Sequence, residues 1–211
     1  MKERSIYKLN GFIGVIMILV LLAGVLSAFR FFVIHESAVS LIVAIILFVV
    51  LVTALTGFTV IQPNQAKVFT LFGNYLGVIK QEGFWFSVPF TVRKNVSLRV
   101  INFNSDKLKV NDLEGNPIEI AAVVVYRVFD SAKAVFDVED YKEFVHTQSE
   151  TGVRHIASQY PYDNFNNDYE ISLRQHSEEV GDELTKDLQK RFELAGVEIL
   201  EARIMHLAYS S

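Results

Sequence analysis

The chain has 211 residues, 51% of them hydrophobic, a net charge of −4 and no cysteine, which excludes disulfides, thiolate metal sites and cysteine nucleophiles. The charge is unevenly divided: residues 63–110 carry seven lysines and arginines against two acids, and residues 111–211 carry nine against twenty. The basic stretch suits anionic lipid headgroups or is simply a set of solvated charges, and the acidic stretch argues against nucleic acid as a partner.

In chain order, residues 1–8 read as an N-terminal tail with Lys2, Arg4 and Lys8 against Glu3. Residues 9–29 hold no charge and read as a first transmembrane helix. This run is longer than the roughly 7–15 apolar residues of a secretory signal, and Arg30-Phe31-Phe32 is a poor cleavage context. A short loop is expected over 30–37. The stretch Ser37 to Ala66 then contains no Asp, Glu, Lys, Arg or His, and 38–61 reads as a second transmembrane helix. Two spans joined this closely form a hairpin, so both ends lie on one side. Three basic residues before the first span against one in the loop place that side in the cytoplasm by the positive-inside rule. The expected location is therefore the cell membrane, with two spans and a cytoplasmic C-terminal domain over 62–211.

That domain opens with strands and tight turns. Ala66 to Gly73 and Tyr75 to Ile79 read as strands, and Gln81-Glu82-Gly83 as a turn. Phe84-Trp85-Phe86-Ser87-Val88-Pro89-Phe90 holds four aromatics in seven residues. Phe84, Trp85, Phe86 and Phe90 read as core aromatics of a short strand or as candidates for membrane-interface anchoring, because aromatic rings favour the headgroup level, and both readings can hold for different faces of the same strand. Asp112 to Pro117 is a turn between two strands, the second of which, Ile118 to Val128, reads as a central strand with Ile118, Ile120, Ala122, Val124, Tyr126 and Val128 on one face.

From Asp130 the period becomes helical. A short helical turn is expected at 132–136. A longer helix is expected from about Asp140 to Tyr160-Pro161, a polar loop at 164–168 and a second helix over 169–195. Leu173, Val180, Leu184, Leu188 and Phe192 form an apolar stripe on that second helix, available to the core or to an oligomer contact. Gly196 ends it, and Val197 to Leu207 returns to strand composition.

No catalytic motif is present. The five histidines (35, 146, 155, 176 and 206) form no HExxH motif, and His176 beside Glu178 and Glu179 reads as a solvated helix face. No catalytic residue, cofactor site or metal site is expected, and the chain reads as non-enzymatic.

The order of features is specific. An anchor runs directly into QPNQAKVFTLFGNYLGVIKQEGFWFSVPF, followed by VNDLEGNPIEIAAVVVYRV, QSETGVRHIASQYPYD and LAGVEILEARIMHLAYS. This succession resembles the SPFH (Band 7) domains of stomatins, prohibitins and flotillins over residues 62–211. The resemblance implies two transmembrane helices followed by an α+β SPFH domain: an antiparallel strand-rich sheet, then two helices and a closing strand. It also implies a homo-oligomeric scaffold that organises a membrane microdomain and regulates membrane proteins, including a membrane-bound AAA protease as a client. Lateral packing would use strand edges near 65–103 and the helix 169–195. Family members usually continue past the closing strand into a long helical segment. The alternatives are a monomeric anchored module that recruits a partner to the acidic half, and an unrecognised membrane-bound hydrolase.

Overall fold

The computed structural model describes residues 3–163 and 171–210. The polar loop expected at 164–168 and the helix start expected at Tyr169 lie outside the described residues. The chain divides into an anchor unit, residues 4–95, and a helix–sheet unit built from residues 96–211 with 1–3. The division falls inside the stretch 62–211, because the first strands of that stretch pair with segments flanking the two apolar helices.

In the anchor unit, β1 (Leu9–Asn10) leads into α1 (Gly11–His35). The helix starts two residues later than the apolar run, since Asn10 caps it by accepting from the Phe12 N–H at 2.9 Å. It also continues past Phe29 through Arg30 to His35, where Glu36 takes a left-handed φ of 52° and closes it with a bond to Phe32 O. The expected eight-residue loop is therefore only Glu36-Ser37. The next helix, α2 (Ala38–Leu55), stops well before Ile61.

Residues 58–61 are not helix but β2 (Phe58–Ile61). An unbroken apolar run does not distinguish helix from strand. Here Gly57 and the strand-favouring Phe-Thr-Val-Ile decide in favour of the strand. The remaining strands are β3 (Gln65–Leu71), β4 (Asn74–Ile79), β5 (Gly83–Phe86) and β6 (Val92–Ser97). They form two three-stranded sheets, ordered β1-β5-β2 and β4-β3-β6.

Tail residues 4–8 are an ordered part of this unit. Val78 N–H donates to Arg4 O at 2.7 Å, Ser5 bridges to Val78 in parallel, and Lys8 Nζ donates to Gln81 Oε1 at 2.7 Å. Gly77 permits the approach, since a Cβ there would lie 2.7 Å from Arg4 O. Ile6 joins Ile61, Phe69 and Ile79 in the core, with Leu76, Trp85 and Val88 packed around them.

The helix–sheet unit is centred on β9 (Pro117–Val128), preceded by β7 (Ile101–Asn104) and β8 (Leu108–Asn111). Both earlier strands pair with one edge of β9, in tandem, and β10 (Val197–Tyr209) pairs along its other edge, all antiparallel. The six residues expected on one face of β9 are all buried.

Among the described residues the unit also holds the helices α3 (Ser131–Phe136), α4 (Tyr141–Gln159) and α5 (Ser177–Phe192). Asp130 and Asp140 cap α3 and α4 through their carboxylates. The second long helix starts at Ser177, so Leu173 does not lie on its stripe. Leu173 is fully buried in the turn before the helix, held by its N–H on Pro161 O at 3.0 Å. Local bonds displace the helix there: Ser172 Oγ accepts from Gln175 N–H, and Asp163 accepts from Arg174 Nη1 and Gln175 Nε2.

Val180, Leu184, Leu188 and Phe192 are buried inside the unit. On α5, Thr185 Oγ1 accepts from Ala202 N–H and Gln189 Oε1 from Ile199 N–H, so side chains of the helix satisfy backbone groups of β10. Gly196, with φ 65°, turns the chain from the short 3₁₀ turn after α5 into β10.

Candidate membrane interface

The anchor unit brings both outer ends of the two apolar helices onto one strand. In the register of β5, Phe86 pairs with Leu9 on one side and Phe58 on the other, and Trp85 pairs with Asn10 and Thr59. The start of α1 and the end of α2 therefore emerge from opposite edges of one small sheet. At ~1.5 Å per residue, helices of 25 and 18 residues reach about 37 and 27 Å, matching a hydrocarbon core of ~30 Å. Only 6% of the most apolar window of α1 and 17% of that of α2 is buried, so neither is the core helix of a water-soluble domain.

Strand alternation separates the aromatic cluster into two sets. Phe84 and Phe86 turn toward the helix ends. The Phe84 ring stacks on Phe58 at 5.4 Å and meets Phe12 edge-on at 5.7 Å, and Phe86 meets Phe58 at 5.1 Å. The first turn of α1 lies directly on these rings. A Cβ on Gly11 would sit 2.3 Å from Phe84, and one on Gly14 would sit 2.9 Å from Phe58 and Phe86. Trp85 points to the opposite face, against the core. Its Nε1–H donates to Gln81 O at 3.0 Å, and the Lys8 ammonium lies 4.0 Å from its ring centre. Phe90 is exposed, with φ 57°, and its N–H donates to Thr56 Oγ1 at the end of α2. Exposed Tyr7 and Phe12 flank the start of α1, giving the helix ends a partial aromatic girdle.

Arg93 closes the C-terminus of α2. Its two terminal nitrogens donate to Thr56 O and Phe58 O, and its Nε to Thr91 Oγ1. A fixed cation satisfies the carbonyl of the C-cap residue Thr56 and that of Phe58, the first residue of β2, and it also opposes the negative end of the helix dipole. Burial pulls the guanidinium below its ordinary pKa, and burial together with Arg93 does the same to Lys67, whose Nζ donates to buried Thr59 Oγ1 at 3.1 Å. Sequence reasoning missed Phe12, Phe58 and Arg93. The strand composition after Gly57 was the available signal for Phe58; no local signal marks Arg93, which acts 37 residues from Thr56.

The displaced titrations in the helix–sheet unit have structural causes. Burial would raise the Asp112 carboxyl, but bonds from Tyr162 N–H, the Asn116 side chain and N–H, and Glu114 N–H outweigh it and hold it below the ordinary value. Burial, with Tyr141 and Asp140 nearby, pushes Tyr126 up to about 12, and the bond to Glu183 leads in pushing Tyr160 to about 12. A surface depression of about 480 Å³ is lined by Thr151, Arg154, His155 and Ser158, with Val110 and Asn111.

Comparison with known proteins adds a family. The SPFH domain / Band 7 family matches residues 59–211. An uncharacterized protein of Archaeoglobus fulgidus is 28% identical over 115 residues, covering 54% of this chain and 46% of that protein. The chain thus spans less than half the length of that curated relative.

Proposed function

The chain belongs to the SPFH domain / Band 7 family, and we propose that it is a non-enzymatic, oligomeric membrane scaffold. In this reading two spans anchor it in the cell membrane with the SPFH domain in the cytoplasm. Copies associate laterally, bound a patch of bilayer and regulate membrane proteins held there, a membrane-bound AAA protease among them.

One observation carries the reading: a single three-stranded sheet grips both outer ends of the helical hairpin. With one strand paired on both sides, the sheet and the hairpin share a position and a tilt, as a boundary element requires. A flexible linker would not transmit either. The N-terminal tail supports the topology, because Ile6 shares a core with Ile61, Phe69 and Ile79. The tail and the start of the SPFH domain must then lie on one side of the bilayer, and Lys2, Arg4 and Lys8 favour the cytoplasm.

Native protein in mild detergent is expected as a multi-subunit particle by light scattering and single-particle imaging. A monodisperse monomer overturns the scaffold reading and favours a module that recruits a partner alone. In inverted membrane vesicles, protease is expected to reach the SPFH domain; protection there overturns the orientation.

A further inference from the structure

We propose that Asp106, His146 and Glu150 form a binding site for a divalent transition-metal cation, with Zn²⁺ the species that fits best. One ligand atom from each residue lies within 4.8 Å of the other two. The donors come from two separate elements, the connection between β7 and β8 and the helix α4, and all three belong to the helix–sheet unit.

The backbone that carries each donor is held in place by the fold. Ser105 is buried beside Asp106. Its N–H donates to Ala122 O at 2.9 Å, its Oγ accepts from Ala122 N–H at 2.9 Å, and the same Oγ donates to Asp106 O at 3.1 Å. The connection is therefore pinned to the central strand where it presents Asp106. His146 and Glu150 are one helical turn apart on α4, with Nε2 and Oε1 3.8 Å apart. The turn between them is fixed from beneath, because Val145 and Ser149 are buried. The Phe103 ring, 4.8 Å from the His146 ring, limits the imidazole's rotation.

The chemistry of the set then selects the ligand. Two carboxylates face one imidazole, and neither carboxylate forms an ion pair with a lysine or arginine among the described residues. A bound cation would neutralise both. One nitrogen and two oxygen donors suit zinc and its first-row neighbours better than magnesium, which favours oxygen ligands alone and gives up water reluctantly. Zinc takes these donors at about 2.0–2.2 Å, which places neighbouring donors roughly 3.4 Å apart. The observed spacing closes to that by rotamer adjustment of side chains that reach solvent. The exposed side leaves room for water to complete the coordination. Its effect would be to staple the β7–β8 connection to α4.

The test uses the full chain purified in detergent and stripped with chelator, titrated with ZnCl₂ alone and, in parallel, MgCl₂. Calorimetry is expected to give one zinc equivalent per chain, with magnesium at least a hundredfold weaker. His146→Ala and Asp106→Asn are each expected to weaken zinc binding at least tenfold, whereas His155→Ala and His176→Ala leave it unchanged. Zinc is also expected to slow amide hydrogen exchange at residues 105–107 in the wild type and not in His146→Ala. Absence of zinc binding, equal affinity in wild type and His146→Ala, or equal loss in the His155→Ala control overturns the proposal. Asp106, His146 and His155 are solvent-exposed and His176 is partly buried at the start of α5, and the exchange pattern elsewhere in the unit reports that each variant is folded.

Discussion

The two units handle apolar residues in opposite ways. In the helix–sheet unit they go inward: β9 buries one whole face, and α4, α5 and β10 supply Val145, Ile156, Leu184, Phe192 and Val197 against the same core. In the anchor unit most of them face outward from α1 and α2, and the water-excluding core rests on Ile6, Ile61, Phe69 and Ile79 with their neighbours. Ala66, Val68 and Val78 are buried in this unit too, and polar devices add to that core. The tail bonds to β4, β5 is paired on both edges, and Arg93 joins a helix end to its strand. Hydrophobicity therefore stabilises one unit directly, whereas in the other it selects the solvent.

The largest expected effect tests that contrast. Val124→Asp places a carboxylate at a fully buried position of β9 and is expected to unfold the helix–sheet unit, a cost above about 4 kcal/mol. The double variant Ile16→Asp, Ile46→Asp makes the same change on exposed helix faces. At roughly 3 kcal/mol per charge on the insertion scale, it is expected to reduce carbonate-resistant membrane retention while hydrogen exchange in β9 stays protected. Loss of β9 protection in the double variant would break the distinction between the units.

Arg93→Ala comes next. It leaves Thr56 O and Phe58 O without their charged donor and is expected to destabilise the anchor unit by about 3 kcal/mol, read as faster exchange in β2 and β5. Arg93→Lys should restore less than half, because an ammonium cannot span both carbonyls as a guanidinium does.

Asp112→Asn probes a bonded carboxylate in the other unit, with an expected loss of about 2 kcal/mol at neutral pH by thermal unfolding. The sign of the pH dependence follows from the lowered pKa. The carboxylate's contribution is complete above its unfolded value of about 4 and fades as pH falls through the lower folded value. The wild type should therefore lose stability below about pH 4 more steeply than Asp112→Asn; parallel acid limbs would count against this.

The smallest effect is at the surface. Arg127 and Glu198 form an ion pair at 2.7 Å with both side chains well exposed, and Arg127→Ala is expected to change stability by less than about 0.5 kcal/mol. A larger loss would show that the pair is less screened by solvent than its exposure implies.

Much of this architecture is legible along the chain. The face of β9, the caps at Asp130 and Asp140 and the stop at Gly196 follow from alternation, side-chain acceptors and backbone freedom, which act within a few residues. The two apolar helices are legible from length and composition, but their ends are not. Asn10 caps α1 inside the apolar run, and Phe58 to Ile61 leaves α2 to pair with Gly83 to Phe86. The aromatic stretch was legible as a cluster on a short strand whose two faces differ in role, but not which ring takes which face, because that depends on what lies above and below β5. The turn at Leu173 depended on Asp163 and Pro161, bonding partners that no helical periodicity reports. The proposed donor set at Asp106 was not read from the sequence, which led to no metal site being expected, because its members come together only once the β7–β8 connection is placed beside α4.

The sequence by itself determined which segments avoid water, which residues share a face and the family to which the chain belongs. These follow from composition and short-range period. Tertiary structure alone decided that the N-terminal tail is part of a core, that one strand receives both helix ends, and that Arg93 seals α2. Each of those depends on groups far apart in the chain meeting where a backbone carbonyl or an apolar ring would otherwise lack a partner.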